Sequence, residues 1–308
     1  MRKPARVSAR RKRRPSLRPS LFLVPLVLIL SLLLIRLVMQ KSVWDGKNRF
    51  VVAVSGLDGG VSLLVFDPLS HLITTIDIPS NTSLELSHQL GTWKLGSVWH
   101  LGKQEKIGGR LLKDTITKSL LLPVDAWAEA QAMGFARGSL PSLIRAVIAP
   151  YDTSLNFKDK LNLALFSIKV QSGERLFIDL SRSGYLTKTQ LLSGEEGYTV
   201  KSAPPLALEK LFSVEDVARE KARIAIYDSS SAPSVASVMT NVINILGTKV
   251  VSIQKADKSD IDCQITTRPK LATSRIIARI FSCKLQSSPP EGNYDIEIKV
   301  GESFAKRF

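Results

Sequence analysis

Histidine and cysteine are almost missing from this chain, with three and two among 308 residues. That excludes a disulfide-dense small scaffold and leaves too few soft ligands for a zinc or iron–sulfur site. His71, His88 and His100 stand apart at no ligand or base spacing, and each reads as a surface residue. No serine sits in the G-x-S-x-G frame of a nucleophile elbow: SGLDGG and LSGEEG both lack it. There is no internal repeat. Acid is missing from the first twenty residues, which hold nine cations (Arg2, Lys3, Arg6, Arg10, Arg11, Lys12, Arg13, Arg14 and Arg18). The formal net charge of +16 is therefore mainly a property of this tail, because the other 288 residues carry 34 basic against 27 acidic side chains.

What is present begins with an apolar run, LFLVPLVLILSLLLIRLVM at 21–39, broken only by Pro25, Ser31 and Arg36. As a helix, nineteen residues span roughly 28 Å, close to the ~30 Å hydrocarbon layer of a bilayer. Arg36 lies one turn from the outer end, where it can snorkel to the headgroups. The cations before the run outnumber those just after it, so the positive-inside rule places the N-terminus in the cytoplasm and the bulk outside. A cleavable signal peptide has a similar layout, but no A-x-A-like site follows in LVMQKSVWDG. Nucleic-acid binding by the tail is the weaker reading, since a basic run directly before an apolar nineteen-mer is a topology signal that also attracts anionic lipid. The expectation is a single-pass plasma-membrane protein, with a basic tail at 1–20, a transmembrane helix at 21–40, and no nucleic-acid partner.

The exported part alternates short apolar strands with amphipathic helices, which indicates an α/β fold. FVVAVSG and VSLLVFDP predict two buried strands joined at Asp58-Gly59-Gly60, with a third in HLITTIDIP and loop over 80–92. Leu112, Ile116 and Leu120 recur at helical spacing before Pro123. A helix is predicted from Ser139 to Ile148 with Leu140, Leu143, Ile144, Val147 and Ile148 as its apolar face. Another follows Asn156, a good N-cap, with Leu161, Leu165 and Ile168 inward. RLFIDL at 175–180 predicts one more buried strand. After a linker at 201–220, a compact β-α-β-β-α-β unit is expected, opening on ARIAIYD. Its first helix starts near Pro233 and reaches Leu246, with Gly247 beyond, and the unit closes on YDIEIKV. Cys263 falls in a predicted strand and Cys283 just after the next helix. An even count in an oxidising exterior favours pairing, against two buried free thiols.

These motifs carry a resemblance. Residues 221–302 resemble the C-terminal domain of LytR-type proteins, through IAIYDSS, with Asp228 where that family usually has Asn, and YDIEIKVG ending at Gly301. Residues 49–200 resemble a reduced LytR-CpsA-Psr domain, through LLVFDP, ITTIDIPSNT, KLGSVW at Lys94–Trp99 and LLLPVDAWAEA. The resemblance implies enzymes that transfer anionic glycopolymers from a polyprenyl-pyrophosphate lipid onto peptidoglycan, with arginines on the pyrophosphate and aspartates on Mg²⁺. This chain departs from that pattern. The family's S-I-P-R-D segment reads Asp77-Ile78-Pro79-Ser80-Asn81, so Arg and Asp are replaced by Ser80 and Asn81. The Arg-Ser-Asp-Thr-like stretch is replaced by Leu57-Asp58-Gly59-Gly60, and Arg145 is followed almost directly by DTSLNFKDKL.

A pyrophosphate needs several cationic donors, best as paired guanidinium groups. The chain is therefore expected to bind cell-wall glycopolymer, a polyprenyl-linked precursor or an envelope protein, without catalysis and without a cofactor. Asp58, Asp77 and Arg110 are the possible metal or phosphate remnants; IGGR at 107–110 otherwise reads as a turn and helix start. The alternative is a Mg²⁺-dependent phosphotransferase with a rearranged site, drawing on Asp58, Asp67 or Asp77 for metal and on Arg110 or Arg137 for phosphate. It gains if those side chains converge in one pocket. Trp93 and Trp99 are candidates for stacking on a sugar, with core packing expected of at least one.

Overall fold

The computed structural model describes residues 42–308 except 57, 192, 193, 201, 202, 233, 269, 270 and 291. The basic tail, the apolar run at 21–40 and the helix start at Pro233 lie outside the described residues. Among the described residues, no helix is long and apolar enough to cross a membrane. Residues Ser42–Phe308 form one compact unit.

The two opening apolar runs are β1 (Phe50–Ser55) and β2 (Val61–Asp67), paired antiparallel with Phe50 opposite Phe66. β3 (Leu72–Ile78) extends the meander. The stretch expected as loop instead holds a small ribbon, β4 (Ser83–Glu85) with β5 (Thr92–Lys94). It runs into α1 (Leu95–Gln104), whose Leu95, Val98 and Trp99 are buried. Next come α2 (Arg110–Ser119), β6 (Ala126–Glu129), α3 (Met133–Arg137), α4 (Leu140–Ile148), α5 (Phe157–Lys169) and β7 (Arg175–Asp179). The sheet order is β6-β1-β2-β3-β7. β6, β1, β3 and β7 run in one direction and β2 against them.

Strand alternation feeds two cores. Val51 and Ala53 of β1 pack with Leu63, Ile76 and Ile78 under α1 and α2. Val52 and Val54 pack with Leu64, Phe66 and Phe135 under α3, α4 and α5. Leu112, Ile116 and Leu120 are buried as predicted, but α2 ends at Ser119, because Leu121 adopts a left-handed φ of 51° before Pro123 is reached.

Two helices depart from their predicted orientation. α4 buries Leu143 as predicted, with Ala146 beside it and Val147 packed against the core, while Leu140, Ile144 and Ile148 face solvent. α5 keeps the Asn156 cap, closed as a capping box with Asp159, yet buries Asp159, Leu163, Ala164 and Ser167 and leaves Leu161, Leu165 and Ile168 outside. Small side chains let these helices approach the sheet and one another, so the bulky stripe is the outer one. β7 is corrected as well. It is the edge strand rather than a buried one, and Leu176 and Phe177 are exposed.

A hairpin of β8 (Leu186–Gln190) and β9 (Glu196–Val200) follows. The expected linker is packed: α6 (Leu206–Lys210) and α7 (Glu215–Glu220) form there, with Leu208 and Phe212 in one core and Val214 and Val217 in the next. The closing elements are β10 (Ile224–Asp228), α8 (Val235–Ile245), β11 (Val250–Lys255), β12 (Cys263–Thr267), α9 (Ala272–Phe281), β13 (Lys284–Ser287), β14 (Ile296–Val300) and α10 (Glu302–Arg307). The second sheet runs β11-β10-β14-β12-β13, one strand, β13, more than the pattern predicted. α8 stops ahead of Gly247, whose φ of 106° suits a residue without a Cβ. Cys263 and Cys283 are joined, with Cα atoms 4.6 Å apart.

The two sheets meet at a buried ion pair. Arg279 of α9 donates through Nε to Asp125 at 2.7 Å and through Nη1 to the Val43 carbonyl at 2.9 Å. Asp125 also accepts from the Val51 amide at 2.8 Å. Lys113 of α2 reaches the Arg279 carbonyl at 2.8 Å, supplying a cation to the last turn of α9.

Candidate functional site

In an open α/β sheet a ligand sits in the crevice beyond the carboxyl ends of the parallel strands. β1, β3, β6 and β7 all end at one edge of the first sheet, and a cavity of about 540 Å³ lies there. Its walls come from the β1–β2 turn (Gly56, Asp58, Gly60), the end of β3 (Asp77 to Ser80), the end of β7 (Phe177, Asp179) and the α3 region (Met133, Arg137).

Register explains why three polar side chains share that wall. Asp77 lies opposite Ser62 in the β2–β3 pair and beside Asp179 in the β3–β7 pair, so all three project from one face of the sheet. The Ser62 hydroxyl donates to Asp77 Oδ1. Asp179 accepts from the Ser181 amide at 2.9 Å and pairs with Arg182 at 3.4 Å. Hydrogen bonding from Ser181, aided by the Arg182 charge, holds its carboxyl below the usual range. Asp58 turns back on its own loop and accepts from the Gly60 amide at 3.2 Å. That loop lies close to α1. A Cβ on Gly59, already at a φ of 79°, would sit 3.2 Å from the Gly96 carbonyl oxygen, so a bulkier turn does not fit as built.

Against three carboxylates, of which Asp179 is paired with Arg182, the wall offers one free cation. Arg137 is exposed and makes no hydrogen bond or ion pair with the described residues, so its guanidinium is available to a ligand. Phe177, 66% exposed, lines the same cavity.

Of the residues that the sequence singled out, Asp58, Asp77 and Arg137 come together here. Arg110 and Asp67 do not. Arg110 opens α2 and is tied to Asp114 at 3.2 Å. Asp67 ends β2 at the opposite edge, ion-paired with Arg49 and accepting from Ser70 at 2.7 Å. Burial opposes its charge, but those hydrogen bonds and the guanidinium still keep its carboxyl below the ordinary range. Trp99 is buried edge-on against Trp127, and Trp93 is half exposed with its indole nitrogen on the Leu90 carbonyl. Asp179, Phe177 and Ser62 were missed. An aspartate closing the apolar strand RLFID was the available signal, but only the β3–β7 register sets it beside Asp77.

The resemblance implies magnesium held by aspartates. Among the described residues no three His, Cys, Asp or Glu side chains gather closely enough to hold a metal ion. One oxygen of each carboxylate, Oδ1, is engaged: Asp58 by the Gly60 amide, Asp77 by the Ser62 hydroxyl and Asp179 by the Ser181 amide.

No protein-family model and no curated protein matches the sequence. Solved structures similar to this chain include LytR-CPS2A-psr proteins, the family whose motifs the sequence resembles. B. subtilis TagT is 14% identical over 53% of this chain and 88% of its own, with a TM-score of 0.37. B. subtilis TagV is 12% identical over 55% and 95%, with a TM-score of 0.38. YwtF (TagT) with bound octaprenyl pyrophosphate lipid is 15% identical over 56% and 90%, also at 0.38. Likeness at this level says nothing about ligand or activity.

Proposed function

We propose that this chain is an extracytoplasmic envelope protein, anchored in the plasma membrane through 21–39, whose cavity binds a hydroxyl-rich wall glycopolymer without chemistry on it. The charge of the cavity carries this reading. Three carboxylates, of which Asp179 is paired with Arg182, face the single free guanidinium of Arg137, a net negative wall and the wrong sign for an unassisted pyrophosphate. The same carboxylates accept hydrogen bonds from sugar hydroxyls, and exposed Phe177 offers the flat apolar surface on which a sugar ring packs. Arg137 suits one isolated phosphate in such a polymer.

Full-length protein in detergent, titrated with purified wall glycopolymer in excess EDTA, tests the proposal. Binding is expected without Mg²⁺, and Phe177→Ala weakens it on the order of tenfold, the cost of losing one stacked aromatic contact. Absence of binding to glycopolymer would sink the reading.

A second reading, glycopolymer phosphotransfer, is favoured by the convergence of Asp58, Asp77 and Arg137 in one cavity. It requires Mg²⁺-dependent release of polyprenyl phosphate from a lipid-linked substrate, abolished by Asp77→Asn.

A further inference from the structure

The outward stripes of α4 and α5 form an uncovered apolar surface among the described residues. Their seven bulky side chains run from 41% exposed at Phe157 to 71% at Ile148. They recur at helical spacing (140, 144, 148 and 157, 161, 165, 168), so each helix presents a continuous ridge. Isolated apolar side chains on a surface need no explanation, but two such ridges on neighbouring helices do.

Charge says what kind of surface would cover them. Arg145 and Lys169 are exposed and Lys158 is half-buried on these helices, while Lys160 lies over the Tyr151 ring. The acids of the stretch are neutralised or hidden: Asp152 is paired with Lys103 at 3.1 Å, and Asp159 is buried. An apolar face with a cationic margin is the composition of helices that lie in a lipid interface.

The incoming chain supplies the position. Ser42 Oγ and the Val43 and Trp44 amides all donate to Asp159 Oδ1, at 2.6, 2.8 and 3.1 Å, in the first turn of α5. The apolar run ends three residues before Ser42, a reach of about 10 Å at most. A bilayer holding that run lies within this reach of the α5 N-terminus.

We infer that the outer faces of α4 and α5 dock on the external leaflet of that bilayer, with anionic phospholipid headgroups against Arg145, Lys158 and Lys169. The inference rests on the anchoring proposed above. The test reconstitutes the full chain, disulfide intact, into vesicles of phosphatidylglycerol and phosphatidylcholine. An NBD fluorophore is attached at Ile148→Cys, at Leu165→Cys or, as a control, at Val251→Cys on β11. Flotation with the vesicles reports anchoring separately from docking. Docking is expected to blue-shift the probes at 148 and 165 and to let spin-labelled lipid quench them, with neither effect at 251, and Leu161→Asp releases the probe at 148 while circular dichroism stays unchanged. Protein that floats yet keeps water-exposed emission at 148 and 165 overturns the docking and spares the anchoring. Cross-linking between copies through 148 without lipid quenching assigns the face to a second copy and also overturns it. Protein that does not float removes both.

Discussion

Arg279 ties the two cores together, and its removal has a calculable cost. The side chains of Arg279 and Asp125 are 14% and 5% exposed, so the pair is shielded from water on both sides. Arg279→Ala deletes the bond to Asp125, the bond to the Val43 carbonyl and the packing of the guanidinium over the Phe50 ring, 5.2 Å from its centroid. It also strands the Asp125 carboxylate, which keeps only the Val51 amide as an hydrogen-bond donor. Breaking a buried pair from one side costs about 3–5 kcal/mol, because the remaining charge is desolvated without compensation. For a chain of this size that corresponds to a fall in Tm on the order of 10 °C. The assay is thermal unfolding of the full chain in detergent, followed by circular dichroism, for wild type, Arg279→Ala, Asp125→Asn and the double variant. The double variant is expected to be less destabilised than the two single losses summed, since no charge is left behind. Single variants within about 1 kcal/mol of wild type, or strictly additive losses, would refute the argument that this pair is a closed, mutually dependent contact.

Lys113 gives a pH dependence of definite sign. Burial pushes its ammonium down to about 8 from the ordinary 10.5. The unfolded chain therefore holds that proton more tightly than the folded one, and the penalty is complete below pH 8. It fades as pH rises toward 10.5, so wild type gains up to about 3 kcal/mol relative to Lys113→Met across that window, read from urea unfolding at fixed ionic strength. A flat difference would show that Lys113 is not desolvated. Gly109→Ala would put a Cβ 2.3 Å from Trp127 and 2.5 Å from Trp99 at an ordinary helical φ, so the expected loss of about 1–3 kcal/mol is steric. An unchanged midpoint and tryptophan spectrum would count against that packing. Replacing both Cys263 and Cys283 by alanine opens a crosslink spanning 20 positions and should cost about 3 kcal/mol in chemical denaturation, with unaltered stability as the contrary result.

Much of the fold was legible because it is written in local periodicity. The hairpin at Asp58-Gly59-Gly60, the Asn156 cap and the β12-to-Cys283 bridge need only spacing, turn chemistry and reach. The orientation of α4 and α5 was not legible, because both of their faces carry apolar residues. Counting hydrophobic side chains selects Leu161, Leu165 and Ile168, whereas packing selects Leu163, Ala164 and Ser167, whose small neighbours let the helix close on Phe135 and the sheet. α1 was not legible, because it carries no start signal: Lys94 at its N-cap makes no side-chain cap and its first turn holds no acid. Half of the site was visible. Asp58 and Asp77 sit in motifs that sequence comparison highlights, while Asp179 and Phe177 acquire meaning only from a pairing between strands some hundred residues apart.

The sign of the cavity admits a direct experiment. If carboxylates are what exclude a pyrophosphate, removing their charge while keeping their shape should admit one. Asp77→Asn with Asp179→Asn leaves Asp58 with Arg137 and with Arg182, released from its pair, a net positive wall in place of a negative one. Each carboxylate within several ångströms of a phosphate opposes it by on the order of 1 kcal/mol once solvent screening is counted, so two replacements should tighten inorganic pyrophosphate binding roughly tenfold to hundredfold. Isothermal titration at low and at high salt reads the change, and added salt should narrow it, because the effect is electrostatic. Arg137→Gln in the double variant should remove most of the gain, leaving Arg182 beside the wall as the one remaining cation. A double variant that binds pyrophosphate no better than wild type would mean that shape, not charge, keeps phosphate out, and the saccharide reading would lose its main support.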